Sequence, residues 1–360
     1  MLRLLLMLAA LAGPHPPSSS VHVQVPQPYE LWDGRVQGHV PPGATALTVQ
    51  SGKHVWHIAV EPDGSFDQVV SPVPLGDGSV TVGGRLVTPV YGVPSGSIAA
   101  LPAPDDDADL DLALERFAGE TSPHVGIYTR SWSGVAAAYN AGAQFEAAST
   151  LKLPIMLEAL SQNSGELSES EFWEPMGRVT RYSDNDGANE LLVDTGGSEA
   201  GGAAKMVALM RSLGFTHTYM AGGYLTGAGG GPPIMTVVDP PPSAYKHTTP
   251  GEMASLAVLI VNAAAGHGAL LRHGISQHEA RELLYLMVHA EDPGLVPAGA
   301  RGLPVAHKIG WLDDTDNDVA IVFTYRGPVV IAIYSVGSQD GTAQAFGIAA
   351  TGAILSAVKA

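Results

Sequence analysis

From Asp105 to the C-terminus the hydrophobic period of the chain changes repeatedly, and the order of those changes limits the fold more than any single residue does. Asp105, Asp106, Asp107, Asp109 and Asp111 precede and interleave with Leu110, Leu112, Leu114 and Phe117. Acidic residues gathered ahead of a helical stripe suit the positive end of a helix. Residues 124–128 and 135–139, around the turn Ser131-Trp132-Ser133-Gly134, read as a hairpin. A block of helices follows. One spans residues 206–213 and stops at Gly214, and another opens at Thr249-Pro250, where threonine is a cap and proline the first helical residue. Residues 305–311, 319–325 and 329–335 then read as strands, with 313–318 as a solvated acidic turn, and residues 341–359 as a helix of small residues. This order predicts an α/β (α+β) fold, an antiparallel sheet flanked by helices on both faces.

The chain ahead of this segment has a different texture. Arg3, the apolar run 4–11 and the small-x-small Ala10-Leu11-Ala12 read as an export signal over residues 1–12, and the run is too short to span a bilayer. Residues 13–20 are a Pro/Ser tether. Over residues 21–90 short alternating runs recur between turn signals such as Pro41-Pro42-Gly43, Pro62-Asp63-Gly64 and Gly76-Asp77-Gly78. Even spacing of this kind predicts a small all-β sandwich. Residues 91–104 read as a Pro/Gly/Ser/Ala linker and residues 105–360 as the second domain, and the chain from about Leu101 onward is expected to fold and react without the β module. A formal net charge of −17 argues against nucleic acid and against anionic membrane surfaces. With no cysteine, neither a disulfide framework nor a thiol nucleophile is available. Histidines 267, 273, 278 and 289 show no zinc spacing, so no metal or cofactor is expected.

Three short motifs carry chemistry. In Ser149-Thr150-Leu151-Lys152, a helix opening at the serine would stand the lysine amine one turn behind the hydroxyl. A hydroxyl needs a base to become a nucleophile, and a lysine among apolar residues loses affinity for its own proton. Pro154, just inside this helix, is expected to loosen its start. The pattern alone is weak, because Ser243-Ala244-Tyr245-Lys246 repeats it in a proline-rich loop. The second motif is Ser183-Asp184-Asn185; its plainer reading is a helix cap and a turn. The third is Lys308-Ile309-Gly310-Trp311, on a strand.

The ordered set Ser-x-x-Lys, Ser-Asp-Asn, Lys-x-Gly is far more specific than its parts. It resembles the serine β-lactamase and penicillin-binding protein superfamily, closest to class A β-lactamases, from about Asp109 to Ala360. The resemblance implies that Ser149 is the acyl nucleophile, Lys152 its base and Ser183 the proton shuttle to the leaving nitrogen. It implies that Asn185 binds the substrate amide and that Lys308 holds Ser183 and attracts a substrate carboxylate. The backbone N–H groups of Ser149 and of Trp311, next to Gly310, would form the oxyanion hole. The implied substrate is a β-lactam or a peptidoglycan-type amide, and the implied place is outside the cytoplasm of a bacterium, with no membrane insertion once the signal is cleaved. The β module resembles those of exported serine hydrolases of this group; its partner is not read from the sequence.

Two departures bear on activity. Ile309 replaces the threonine of Lys-Thr-Gly and removes a hydroxyl that binds a β-lactam carboxylate. Class A enzymes also carry a catalytic glutamate on a loop after the Ser-Asp-Asn, but residues 215–236 contain no Asp or Glu. Glu166 precedes the motif, and the nearest later acid is Asp239. Slow deacylation is therefore expected. A DD-peptidase or esterase, or an inactive ligand-binding protein using the same cleft, stand as alternatives.

Overall fold

The computed structural model describes residues 21–121, 124–226, 246–337 and 342–359. The signal, the tether, Asp239 and Ser243 of the second Ser-x-x-Lys lie outside the described residues.

The C-terminal part is built on a six-stranded sheet. Its spatial order is Val305–Leu312, Thr315–Thr324, Gly327–Val336, His124–Ser131, Val135–Tyr139 and the short Asp105–Asp106. All neighbours are antiparallel except the last pair. Strand periodicity explains why helices cover both faces. Along Thr315–Thr324, Val319, Ile321 and Phe323 point into one core, and Ala320 and Val322 into the other. Along Gly327–Val336, Val330, Ala332 and Tyr334 alternate in the same way with Val329, Ile331 and Ile333. One core is closed by the helices Ala108–Thr121 and Thr342–Ala357, through Leu110, Leu114, Phe346 and Ile354. The other is closed by Lys152–Gln162, Pro250–Ala264 and Gln277–Met287. Local signals set the helix starts. The Asp107 carboxylate accepts from the N–H groups of Asp109 and Leu110, and Thr249 Oγ1 accepts from Glu252 N–H with Pro250 in the first turn. No helix among the described residues is long and apolar enough to cross a membrane.

The acidic stretch after Trp311 differs from the solvated turn expected for it. The strand already starts at Thr315, and Asp318 is fully buried. Its carboxylate accepts from the N–H groups of Leu295 and Val296 and faces His307 at 3.1 Å. Three partners replace the water that the sequence pattern suggested.

The N-terminal residues form two further sheets. One orders His22–Val25, Arg35–His39 and Ser65–Val69; the other orders Glu30–Trp32, Arg85–Gly92, Gly76–Val82, Ala46–Ser51 and His54–Ala59. Both contribute to one apolar cluster that includes Val23, Val36 and Phe66 from the first and Trp32, Val49, Val80 and Val87 from the second. The packing does not stop there. Leu31 belongs to the main core of the C-terminal part, and so do Val93, Ile98 and Leu101 from the stretch expected as a linker.

Glu30–Trp32 lies on the helix Gln277–Met287 and brings charge with it. Arg281 is fully buried and donates to the carbonyls of Ala264 and Leu31, with Asp33 at 3.4 Å. His278 Nδ1 lies 2.7 Å from the buried Glu30, and its Nε2 lies 3.0 Å from Glu166 and 3.5 Å from the buried Glu282. Burial works against a charged imidazole here, but Glu30, Glu282 and Glu166 outweigh it and raise His278 to about 9. Burial, opposed by His278 and reinforced by Glu30, Glu166 and Glu279, raises Glu282 to about 8. At these two groups the folded chain holds protons that the unfolded chain releases, and their contribution to stability falls as pH rises. The histidine contribution is complete below about 6.5 and is lost through about 9. That of Glu282 is lost between its ordinary range and about 8. The buried Lys152 and Lys308, both lowered, titrate in the opposite sense over the same window, so the cluster is read by difference: the urea midpoint of wild type minus that of Glu282→Gln is expected to fall from pH 6 to pH 9. A difference between the two that stays constant across this range would contradict the assignment.

Candidate active site

Ser149 sits in a tight 3-10 turn, Ala148–Leu151, that runs directly into the helix Lys152–Gln162. Because the α-helix proper begins at Lys152, Pro154 falls in its first turn, where proline is tolerated. The loosening expected of Pro154 is thereby avoided. One side chain of the turn itself and two from distant strands fix it. Thr150 Oγ1 donates to the Ala147 carbonyl at 2.6 Å and accepts from Tyr334 OH at 2.8 Å, while Asn317 Nδ2 donates to the Glu146 carbonyl. Ala148 has φ +46, a left-handed conformation unfavourable for a residue with a side chain. Gly310, on the edge strand of the sheet, lies against this turn. A Cβ there would come within 2.8 Å of Ser149 N and 2.9 Å of both Ala147 O and Thr150 N. Only glycine lets strand and turn approach so closely.

Lys152 is fully buried. Its Nζ lies 2.9 Å from Ser149 Oγ, 2.6 Å from Asn185 Oδ1 and within bonding distance of the Ser183 carbonyl. Burial, and then the charge of Lys308, lower it to about 6. The partners match a neutral amine. Asn185 Oδ1 and the Ser183 carbonyl can only accept, so they take its two N–H groups and leave the lone pair for the Ser149 O–H.

The Ser-Asp-Asn segment divides its duties. Ser183 ends the helix Trp173–Tyr182 with φ +54, a second strained residue, and its Oγ accepts from Lys308 Nζ at 2.7 Å. Asp184 caps the helix Asn185–Gly196 through Gly187 N–H and is held by Arg178, which also pairs with Glu174 and Glu190. Asn185 accepts from Lys152 with its oxygen and donates to the Leu225 carbonyl at 2.9 Å with its nitrogen. Lys308 is buried, and desolvation lowers it to about 7 against the opposing charges of Asp292 and Asp318. Ser149, Lys152, Ser183, Asn185, Lys308 and Gly310 are therefore brought to one place. Trp311 stands at its rim, 61% exposed.

Three contributors were not read from the sequence. Tyr224 lies with its ring 4.5 Å from Lys152 Nζ and 5.0 Å from Lys246 Nζ, and its hydroxyl donates to the Ala148 carbonyl at 3.1 Å. Asn189 clamps the Tyr224 backbone, donating to its carbonyl at 2.7 Å and accepting from its N–H at 2.6 Å. Glu146 is buried beneath the turn, and desolvation raises it to about 7 despite Lys246 and the N–H of Ala148. The position of Asn189 one helical turn after Asn185 is the only sequence signal that pointed at any of them.

Sheet, helices and cleft together define the class A β-lactamase and penicillin-binding protein fold. Many solved structures resemble it, among them the following three. PBP-A, captured as a mutant in an acyl-enzyme complex with penicillin G, is 20% identical, with a TM-score of 0.55 over 72% of this chain and 99% of that one. A class A β-lactamase from Mycobacterium abscessus is 20% identical, with a TM-score of 0.55 over 70% of this chain and 100% of that one. A β-lactamase from Desulfarculus baarsii matches at 20% identity and TM-score 0.55, over 70% and 98% of the two chains. Likeness at this identity speaks for the fold. No curated protein matches the sequence. The model of the beta-lactamase enzyme family matches residues 169–358, and the chain belongs to that family. The match includes Ser183, Asn185 and Lys308; Ser149 and Lys152 precede it.

Proposed function

We propose that this chain is an exported serine hydrolase that forms an acyl-enzyme on Ser149 with a β-lactam or a related amide or ester and releases it slowly. The observation that supports this most is the bonding of Lys152: a buried amine, two carbonyl acceptors, and a serine hydroxyl for its lone pair. In the proposed reaction Lys152 Nζ takes the Ser149 proton as Oγ attacks the substrate carbonyl carbon. The N–H groups of Ser149 and Trp311 receive the oxyanion. As the carbon–nitrogen bond breaks, Ser183 gives its proton to the leaving nitrogen and is resupplied by Lys308. Residues 1–12 would direct export, and the N-terminal sheets would form a sandwich module at residues 21–90.

A penicillin-binding type of enzyme, a DD-peptidase or an esterase, is favoured as the second reading by Ile309 and by the lack of acid in residues 215–236. The loss of one hydrogen bond to a substrate carboxylate weakens binding by about 1.5–3 kcal/mol. Absence of a positioned base slows deacylation by roughly 10²–10⁴-fold.

Rapid mixing with a chromogenic cephalosporin tests the proposal. The expected trace is a burst equal to the enzyme concentration, followed by slow turnover. The burst rate should rise with pH through about 6, as Lys152 becomes neutral, and fall above about 7, as Lys308 loses its proton. Neighbouring amines titrate as a pair, so the profile is a narrow bell. Rapid steady-state hydrolysis without a burst would overturn slow deacylation, and a flat pH profile would overturn the lysine assignments.

A further inference from the structure

The Ser149–Lys152 pair has two flanks. On one, Ser183 and Lys308 form a polar wall. On the other lies Tyr224, with its ring face toward Lys152 Nζ. Tyr224 follows the Ser-Asp-Asn on the segment where class A enzymes place their glutamate.

Several contacts fix its position. Asn189 holds both polar groups of its backbone, and the carbonyl of the next residue, Leu225, accepts from Asn185. The preceding Gly223 approaches so closely that a Cβ would meet Glu199 Oε2 at 2.0 Å and Asn189 Oδ1 at 2.7 Å. The hydroxyl reaches past Lys152 to the Ala148 carbonyl, next to the nucleophile. The ring thus covers one side of the Lys152 amine, and its one polar atom already has a partner next to Ser149. Burial, with Glu146 nearby, keeps the phenol well above its usual 10, so it does not serve as a base at neutral pH. Glu146, the carboxylate beneath, is engaged with Ala148 N–H and the charge of Lys246.

We propose that Tyr224 is a shield that keeps water from the Ser149 acyl-enzyme and so sets its lifetime. This rests on the acyl-enzyme reading above. Release requires water oxygen to attack the ester carbonyl carbon, the carbon–Oγ bond to break, Oγ to regain a proton, and the acid to leave. With the ring in place, water is kept from the flank that Tyr224 covers. The ring also places a π face on Lys152 at the moment it becomes charged, which favours acylation.

The test compares wild type with Tyr224→Phe, Tyr224→Leu and Tyr224→Ala. Each is acylated with benzylpenicillin, freed of excess reagent and followed by intact mass for loss of the adduct. The Phe variant keeps the ring, so its adduct should persist within threefold of wild type. The Leu and Ala adducts should decay at least tenfold faster, and hydroxylamine should accelerate their release more than that of wild type. Melting curves show whether each variant is folded, and the Leu variant stands in if Ala is not. A merely structural role would lower the yield of adduct without shortening its life. Equal lifetimes in all folded variants would overturn the shield and leave the acyl-enzyme intact. Failure of every form, wild type included, to take up penicillin would overturn both.

Discussion

Ser149→Ala should be a folded protein that takes no acyl group from penicillins or fluorophosphonates. The turn that carries Ser149 is held by Thr150, Tyr334, Asn317 and the close approach of Gly310, none of which involves the Ser149 side chain. The substitution removes one hydrogen bond, that to Lys152, and the melting temperature should move little. Reactivity should drop by roughly 10⁴–10⁶-fold, as when a nucleophile is deleted from a unit that works together. Lys152→Ala should lose nearly as much, for the same reason. It should also cost stability, because the Ser183 carbonyl and Asn185 Oδ1 lose their donor in a buried place, at about 1–3 kcal/mol for each unsatisfied group. Acylation at the wild-type rate in Lys152→Ala, read from the time course of the adduct, would move the base elsewhere.

Deleting the residues before Leu101 should abolish the native fold, contrary to the independence expected from the sequence. The cut removes Leu31, Val93 and Ile98 from the main core, each contributing roughly 1.5–3 kcal/mol. It also takes away the Leu31 carbonyl and Asp33, which face the buried Arg281, and Glu30, which faces His278. Breaking one buried ion pair from one side costs about 3–5 kcal/mol. Together these approach the whole stability of an ordinary domain, about 5–15 kcal/mol. Residues 101–360 should therefore show no cooperative urea transition and no penicillin adduct. A sharp transition and wild-type labelling in that fragment would show that the N-terminal contacts are dispensable.

The sequence showed what local chemistry requires and missed what distant packing decides. The contact between Ser149 and Lys152 was legible because residues three apart in a helical turn share a face, and the position of Lys308 because its motif lies on a strand beside a glycine. The strands from Val305 to Val336 were legible because covered strands must be apolar on both faces. The left-handed Ala148 and Ser183 were not, since nothing in those residue types announces positive φ. Asp318 looked like part of a solvated run because its donors, Leu295 and Val296, come from another loop. Strand Glu30–Trp32 was missed because it is three residues long, and its importance lies in Arg281 and His278, far away in sequence. Tyr224 was hidden for a related reason. Glycines and a missing acid mark its loop, but only Asn189 and Asn185 bring the ring over Lys152.

Peptide mapping of the benzylpenicillin adduct tests the central claim most directly. After brief labelling, digestion and tandem mass spectrometry, one penicilloyl group per chain is expected on Ser149, with none on Ser183 and none anywhere in Ser149→Ala. Label on Ser183, or undiminished labelling in Ser149→Ala, would contradict the account.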